Sequence, residues 1–304
     1  MIGASEIAAA DRRIRGRIRR TPVLTAGGEV RFKLEYLQHA GSFKTRGMMN
    51  QILAGAERGA LPAAGIIAAS GGNAGLAAAY AARELDVPAE VFVPVTAPPV
   101  KVAKLSKLGA RVVQAGTEYA EAYAAAVVQA GVTGALFCHA YDDPDMVAGN
   151  GTVGLELREQ LPEGFDTVMV AVGGGGLIAG VTAALAGSAR VVAVEPASCP
   201  SLHEAMIAGE PVDVPVSGVA ADSLGARRVG RIAFEVTTAA GVSSVLVDDQ
   251  AIVDARRELW EDYRIAVEHG TAAAQAALTS GAYVPAAGER VVVLLCGANT
   301  NPVF

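Results

Sequence analysis

One lysine stands in a chemically unusual segment, GSFKTRG, where glycine, serine, an aromatic ring and an arginine surround Lys44. A lysine amine acts as a base or as a nucleophile toward carbonyl compounds when its surroundings desolvate it. A solvated lysine at the start of a helix is the alternative. The segment alone leaves both interpretations open.

A run of four glycines follows a β-branched segment and precedes an Ala-rich segment; the four are Gly173, Gly174, Gly175 and Gly176. Backbone amides of such a loop converge on an anion at the N-terminus of the following helix, which is typical of phosphate binding. Two of these glycines, with Ala179 and Glu195, also fit the layout of a dinucleotide site. A dinucleotide site therefore stays open as an alternative.

A second loop rich in hydrogen-bond donors, SGGNAG, contains Ser70, Gly71, Gly72 and Asn73. At the start of a helix it suits a carboxylate, although an ordinary helix cap explains serine and asparagine equally well. Cys296 ends the apolar run RVVVLLC and could present its thiol to a heterocyclic nitrogen, although such a cysteine is more often a packing residue. Together with the lysine and the glycine loop, these parts make up a lysine Schiff-base site for pyridoxal phosphate.

The sequence resembles the serine/threonine dehydratase family of fold type II pyridoxal-phosphate enzymes. The resemblance runs through nearly the whole chain, in the segments TPVLT, KLEYLQHAGSFKTRGMMN, SGGNAGLAAAYAARELDVPAEVFVP, YDDPDMVAGNGTVGLEL, VGGGGLIAG, VAVEP and LCGANT. It implies pyridoxal 5'-phosphate as cofactor, a small amino-acid substrate and a homodimer.

The resemblance also implies roles for individual residues. Lys44 corresponds to the Schiff-base lysine, and Phe43 to the aromatic residue beside the cofactor ring. The substrate carboxylate would bind Ser70, Gly71, Gly72 and Asn73, with Asn73 also reaching the ring hydroxyl. The cofactor phosphate would bind Gly173, Gly174, Gly175, Gly176 and Leu177, and Cys296 would face the ring nitrogen. A structural K⁺ or divalent cation would bind at Glu195, Cys199, Leu224 and Ala226.

The implied reaction is β-elimination of L-serine or L-threonine to a 2-oxo acid and ammonia. Serine racemase, threonine synthase and cysteine synthase are alternatives within the same fold, and an NAD-dependent oxidoreductase is an alternative of another class. Gly71 lacks the hydroxyl that serine racemases use as a second base, which disfavours racemisation. The sequence also departs from the family at residues 268–270, where Glu-His-Gly replaces the common Glu-Pro-Ala or Glu-Pro-Ser.

Short apolar runs that alternate with Ala-rich helical segments must position these residues. Eight strands are predicted, at 65–70, 89–94, 110–115, 135–140, 167–172, 190–196, 243–248 and 290–297. Near-continuous apolar strands indicate parallel sheets covered on both faces. We expect an α/β fold with two open, mostly parallel twisted sheets and the active site between two domains. The large, cofactor-binding domain would comprise residues 1–40 and 141–304, with residues 41–140 as a small inserted domain and no C-terminal regulatory domain.

Composition narrows the classes of partner. The net charge of −6 and the pI of about 5.3 argue against nucleic-acid binding. The basic residues between 12 and 20 are predicted to be the solvated face of an amphipathic helix that buries Ile14 and Ile18. No apolar run reaches the length of a membrane span, and three scattered cysteines suggest a reducing cytoplasm rather than a disulfide framework.

Overall fold

The computed structural model describes residues 2–59 and 61–300. Its strands are β1 (Val23–Gly27), β2 (Val30–Lys33), β3 (Ile66–Ala69), β4 (Ala89–Val93), β5 (Arg111–Gln114), β6 (Leu136–Cys138), β7 (Thr167–Ala171), β8 (Arg190–Pro196), β9 (Ser243–Val247) and β10 (Val291–Leu294). Its helices are α1 (Ala4–Ile14), α2 (Lys44–Glu57), α3 (Asn73–Glu84), α4 (Pro99–Lys107), α5 (Tyr119–Thr133), α6 (Pro144–Gln160), α7 (Gly176–Leu185), α8 (Ser201–Ala208), α9 (Ala221–Leu224), α10 (Arg231–Ala239), α11 (Asp249–Tyr263) and α12 (His269–Thr279). Two 3₁₀ turns, Glu35–Leu37 and His39–Gly41, precede α2.

The strands form two sheets. The larger has the order β1-β2-β10-β7-β8-β9, and the smaller has the order β5-β4-β3-β6. All pairs are parallel except β1 with β2, which is antiparallel. The predicted α/β class with two mostly parallel sheets is therefore confirmed, whereas the division into domains at residues 41 and 140 stays a prediction.

All eight predicted strands are present, because their apolar, β-branched runs favour the extended backbone of a sheet. In β7, for example, every residue is buried. The sequence analysis missed β1 and β2, which form an antiparallel hairpin at the edge of the larger sheet. The residues of β1 are half-buried or exposed, and Thr25 and the final glycine interrupt its apolar pattern.

Helices α6 and α7 pack closely against one another beside the larger sheet. A Cβ on Gly180 would lie 2.5 Å from the carbonyl oxygen of Val147, and one on Gly151 would lie 2.8 Å from that of Gly180. Neither distance is possible for a larger residue without moving a helix backbone. These glycines therefore set the position of α7, whose first turn begins at the glycine loop.

The predicted amphipathic helix over the basic N-terminal cluster is wrong in its extent. Helix α1 ends at Ile14, and Gly16 has a φ of 79°, a left-handed conformation that terminates a helix. The chain beyond it is held instead by tertiary contacts, since the amide of Arg19 donates to the side chain of Gln38 and Arg20 pairs with Glu159. Over the described residues, no helix is both long and apolar enough to cross a membrane.

Candidate active site

Lys44 is the first residue of α2, and the loop before it is fastened to the end of β10. The amide of Phe43 donates to the carbonyl of Cys296 over 3.0 Å, and Ser42 forms a bridge with Gly297. Because β10 is an interior strand of the larger sheet, these bonds fix the start of α2 to a rigid element. The predicted lysine and the predicted cysteine thus lie in the same part of the molecule.

The Lys44 amine is partly buried and bonded to a neutral group. Its Nζ donates to the carbonyl of Ala140 over 2.6 Å and lies 5.1 Å from the centre of the Phe43 ring. Burial lowers the pKa of Lys44 to about 8, since removal from water disfavours the charged form. A substantial neutral fraction near physiological pH is what a Schiff-base lysine or a general base requires.

The four-glycine loop, residues 173–176, joins β7 to α7 as predicted. Gly175 has a φ of 86°, which favours glycine, and a Cβ on Gly174 would lie only 2.3 Å from the ring of Tyr141. Lys44 bonds the carbonyl immediately before Tyr141. The glycine loop and the lysine therefore meet across this short segment.

Hydrogen bonds to two of its backbone carbonyls fix the position of the glycine loop. The hydroxyl of Ser201 donates to the carbonyl of Gly173 over 2.8 Å, and the amide of Gly230 donates to that of Gly174 over 3.1 Å. The first amides of a helix have no intrahelical acceptor, so the start of α7 suits an anion. Leu177, the last predicted residue of this loop, is buried in the core below it.

The second predicted loop lies on the other sheet, where Ser70, Gly71 and Gly72 follow β3 and Asn73 opens α3. The Asn73 side chain donates to Glu268 over 2.6 Å and accepts a hydrogen bond from Asn299 over 2.6 Å. Both partners come from the chain that builds the larger sheet and its helices. The side chain of Asn73 therefore connects the two halves of the fold at the site.

Glu268 is a buried carboxyl that the sequence analysis did not include among the site residues. Burial raises its pKa to about 7, while the hydrogen bond from Asn73 acts in the opposite direction. A Cβ on Gly297 would lie 2.6 Å from its Oε1, so the glycine after Cys296 makes room for this carboxyl. Glu268 also lines a small cleft with Gly71, and this cleft opens between the two sheets.

The Cys296 thiol lies just beyond β10 and is almost fully buried. Burial raises its pKa to about 12, so the sulfur is protonated at physiological pH. Its Sγ lies 3.3 Å from Oγ1 of Thr271. A neutral thiol cannot act like an aspartate toward a heterocyclic nitrogen, because it carries no charge to stabilise a protonated ring.

Two residues of the predicted cation site already accept hydrogen bonds from the protein. The carboxylate of Glu195 accepts hydrogen bonds from the amides of Leu202, at 2.7 Å, and His203, at 2.8 Å. A thiol is a soft donor, whereas hard cations prefer oxygen ligands, so Cys199 is the weakest member of this set. The carbonyl of Leu224 accepts the amide of Ala226 over 2.8 Å. These hydrogen bonds use part of the acceptor capacity that a cation at this position would need.

Clusters of three or more His, Cys, Asp or Glu side chains suited to a metal are absent from the described ranges. The cation at Glu195 therefore stays a prediction that rests on the family resemblance alone.

The two parallel-rich sheets, the lysine at a helix start and the glycine loop define a pyridoxal-phosphate enzyme of fold type II. The chain belongs to this family: a model described as "Pyridoxal-phosphate dependent enzyme" matches residues 14–297. It is 38% identical to an L-threonine ammonia-lyase of Geobacter sulfurreducens, over 98% of this chain and 76% of that protein. It is 36% identical to a phenylserine dehydratase of Ralstonia pickettii, over 98% and 93% of the two chains.

The solved structure of maize serine racemase is also similar, with a TM-score of 0.91 and 31% identity, covering 99% of this chain and 94% of that chain. The relatives thus include lyases and a racemase within the serine/threonine dehydratase family. The dinucleotide alternative is not supported, because the family is one of pyridoxal-phosphate enzymes.

The residues present fit pyridoxal phosphate on structural grounds. The lysine has a lowered pKa and a neutral partner, and the glycine loop supplies a helix N-terminus whose packing leaves no room for side chains at Gly174. The sequence analysis did not assign site roles to Tyr141, Glu268, Thr271 or Asn299. Three of them lie in segments that it did quote, YDDPD, Glu-His-Gly and CGANT, but nothing in those segments shows which residue each side chain contacts.

Proposed function

We propose that this enzyme is an ammonia-lyase that removes water from L-serine or L-threonine and releases a 2-oxo acid and ammonia. The names of its relatives support this proposal, since L-threonine ammonia-lyase and phenylserine dehydratase both match over nearly the whole chain. The substrates named for those proteins share an α-amino acid that carries a hydroxyl on its β-carbon.

We assign the binding roles as the resemblance implies. Lys44 holds the cofactor aldehyde beside Phe43, residues 173–177 hold the cofactor phosphate at the start of α7, and Cys296 faces the ring nitrogen. The loop of residues 70–73 holds the substrate carboxylate at the start of α3, where the helix dipole favours a negative charge. The bound cofactor supplies the electron sink for the reaction.

The number of side chains that can transfer a proton to or from the α-carbon favours a lyase over a racemase. Lys44 has a lowered pKa and can take the α-proton from one face of the substrate. Racemisation also needs a donor on the opposite face, and the position that corresponds to the second base of serine racemases is Gly71, which has no side chain. With no second donor at this position, loss of the β-hydroxyl competes better than return of a proton to the other face.

The overall reaction balances without an oxidant or reductant. The α-proton goes to Nζ of Lys44, and the C–O bond to the β-hydroxyl breaks with its electron pair on oxygen. One proton, equivalent to the one taken up by Nζ, completes the water that leaves. The released enamine isomerises and is hydrolysed, which gives the 2-oxo acid and ammonia.

A substrate panel tests this proposal. Purified enzyme with pyridoxal phosphate should release equal amounts of ammonia and 2-oxo acid from L-serine or L-threonine, and K44A should not. The same samples are assayed for D-serine, and for cysteine formed from O-acetylserine and sulfide. Dominant D-serine would establish the racemase alternative, dominant cysteine the cysteine synthase alternative, and unchanged ammonia release by K44A would contradict the role of the lysine.

The remaining proposals concern the setting of the enzyme. We propose a homodimer in the cytoplasm, with residues 41–140 as a small domain inserted in a large one. Size-exclusion chromatography with light scattering tests the dimer. Limited proteolysis that releases a stable fragment near residues 41–140 would support the domain division.

A further inference from the structure

Thr271 lies in the first turn of α12 and is fully buried beside Cys296. Its Oγ1 lies 2.8 Å from the carbonyl oxygen of Gly297, 2.8 Å from the amide nitrogen of Gly297 and 3.3 Å from Sγ of Cys296. The Thr271 hydroxyl thus contacts the backbone amide and carbonyl of Gly297 and the thiol of Cys296.

The protons in this group can be assigned from donor and acceptor chemistry. A hydroxyl has one proton to donate and two lone pairs to accept with. The carbonyl of Gly297 can only accept, and it is a much better acceptor than a thiol sulfur, so the Thr271 proton goes to it. The amide of Gly297 donates to one lone pair, which leaves the other free for the S–H of Cys296.

The thiol has a proton to give, because burial raises the pKa of Cys296 to about 12. We propose that Thr271 is a positioning residue that accepts this proton, so that the sulfur of Cys296 turns a lone pair, not its S–H, toward the ring nitrogen of the cofactor. This inference rests on the proposed function for the placement of that ring. A ring nitrogen that receives no proton withdraws electrons less strongly, which favours prompt loss of the β-hydroxyl.

The infrared S–H stretch of Cys296 reports the direction of its hydrogen bond directly. The band is assigned in the full-length protein by its loss in C296A, which separates it from Cys138 and Cys199. In the wild-type protein we expect a band lowered by hydrogen bonding, at the same wavenumber with and without pyridoxal phosphate. In T271V without cofactor the band should move to higher wavenumber, and in T271S it should stay as in the wild type.

A matched control is T237V, because Thr237 is another buried threonine whose hydroxyl bonds within its own helix, to Ala233. This variant should leave the Cys296 band in place. If T271V does not fold, T271A removes the same hydroxyl and is used instead.

Two results would overturn the inference. One is a wild-type band that falls when the cofactor is added, since the thiol would then donate to the ring. The other is a band that T271V and T271A leave unmoved in the cofactor-free protein. Failure of the proposed function would show separately, as absent ammonia release, and would not alter the cofactor-free comparison.

Discussion

A buried group of charges beside the active-site lysine should be decisive for stability. The guanidinium of Arg46, two residues after Lys44, donates twice to Glu35 over 2.7 Å and once to Glu156 over 2.9 Å. Lys33 bonds the other oxygen of Glu156 over 2.5 Å. Burial opposes the charge on Arg46, but the two carboxylates raise its pKa above the usual value. Two cations thus balance two anions in the interior.

The perturbation we choose is R46M, which keeps an unbranched side chain and removes the guanidinium and its charge. It leaves Glu35 and Glu156 facing Lys33 alone, with one buried negative charge uncompensated. Removal of one partner of a buried ion pair costs about 3–5 kcal/mol. R46K keeps the charge but loses the two-point contact with Glu35, and a hydrogen bond to a charged group contributes about 1.5–3 kcal/mol.

Urea unfolding followed by circular dichroism measures these changes, with all variants at the same cofactor loading. The control is R111A, which breaks the ion pair with Glu90 on the surface and should cost no more than about 1 kcal/mol. We expect the unfolding midpoint to fall in the order R111A, R46K, R46M. A loss for R46M no greater than that for R111A would refute the reasoning, because the charges would then be solvated or compensated in the folded enzyme.

Three further predictions follow from single side chains. G71S supplies the missing hydroxyl in a position with room for a Cβ, 3.5 Å from Val93, so chiral chromatography should detect an increased share of D-serine. Burial raises the folded-state pKa of Glu268 from 4.5 to about 7. The stabilising contribution of its protonated form is therefore complete below pH 4.5 and is lost as the pH rises through 7. Between pH 5 and 8, the melting temperature of E268Q should fall less than that of the wild type. Because backbone amides already occupy the Glu195 carboxylate, chelation by EDTA and exchange of K⁺ for Na⁺ should leave ammonia release unchanged, and a several-fold loss would establish the cation.

The sequence predicts the parts of this fold that depend on local pattern. The eight parallel strands are predicted because each contains a short apolar, β-branched run, although the edge strands β5 and β9 are mostly half-buried or exposed. The β1–β2 hairpin was not found, since an edge hairpin needs neither continuous burial nor a long apolar run. The same limit explains the N-terminal helix: Ile14 and Ile18 have helical spacing, but Gly16 ends the helix between them.

The site residues also divide into those that a local motif predicts and those that depend on contacts between distant parts of the sequence. Lys44 and the glycine loop are visible in the sequence because each is a compact motif with its own chemistry. The contact between Asn73 and Glu268 cannot be read from the sequence, because Glu268 is 195 residues further along the chain. The role of Thr271 depends likewise on the geometry of β10 and α12, since a buried threonine in an Ala-rich helix has no signature of its own.

We propose that Gly71 and Thr271 both suppress racemisation, each by acting on a different proton. In the proposed function, Gly71 offers no hydroxyl to return a proton to the α-carbon. In our inference, Thr271 accepts the thiol proton that would otherwise strengthen the electron sink. If both suppress racemisation, neither change alone should restore it fully, because G71S still lacks a strong sink and T271V still lacks a second donor. The double variant G71S/T271V should therefore form D-serine in a ratio to pyruvate greater than the product of the two single effects, since coupled sites are not additive. Strictly multiplicative effects in this cycle would mean that the two residues act independently, and the proposed link between the thiol and the reaction outcome would be wrong.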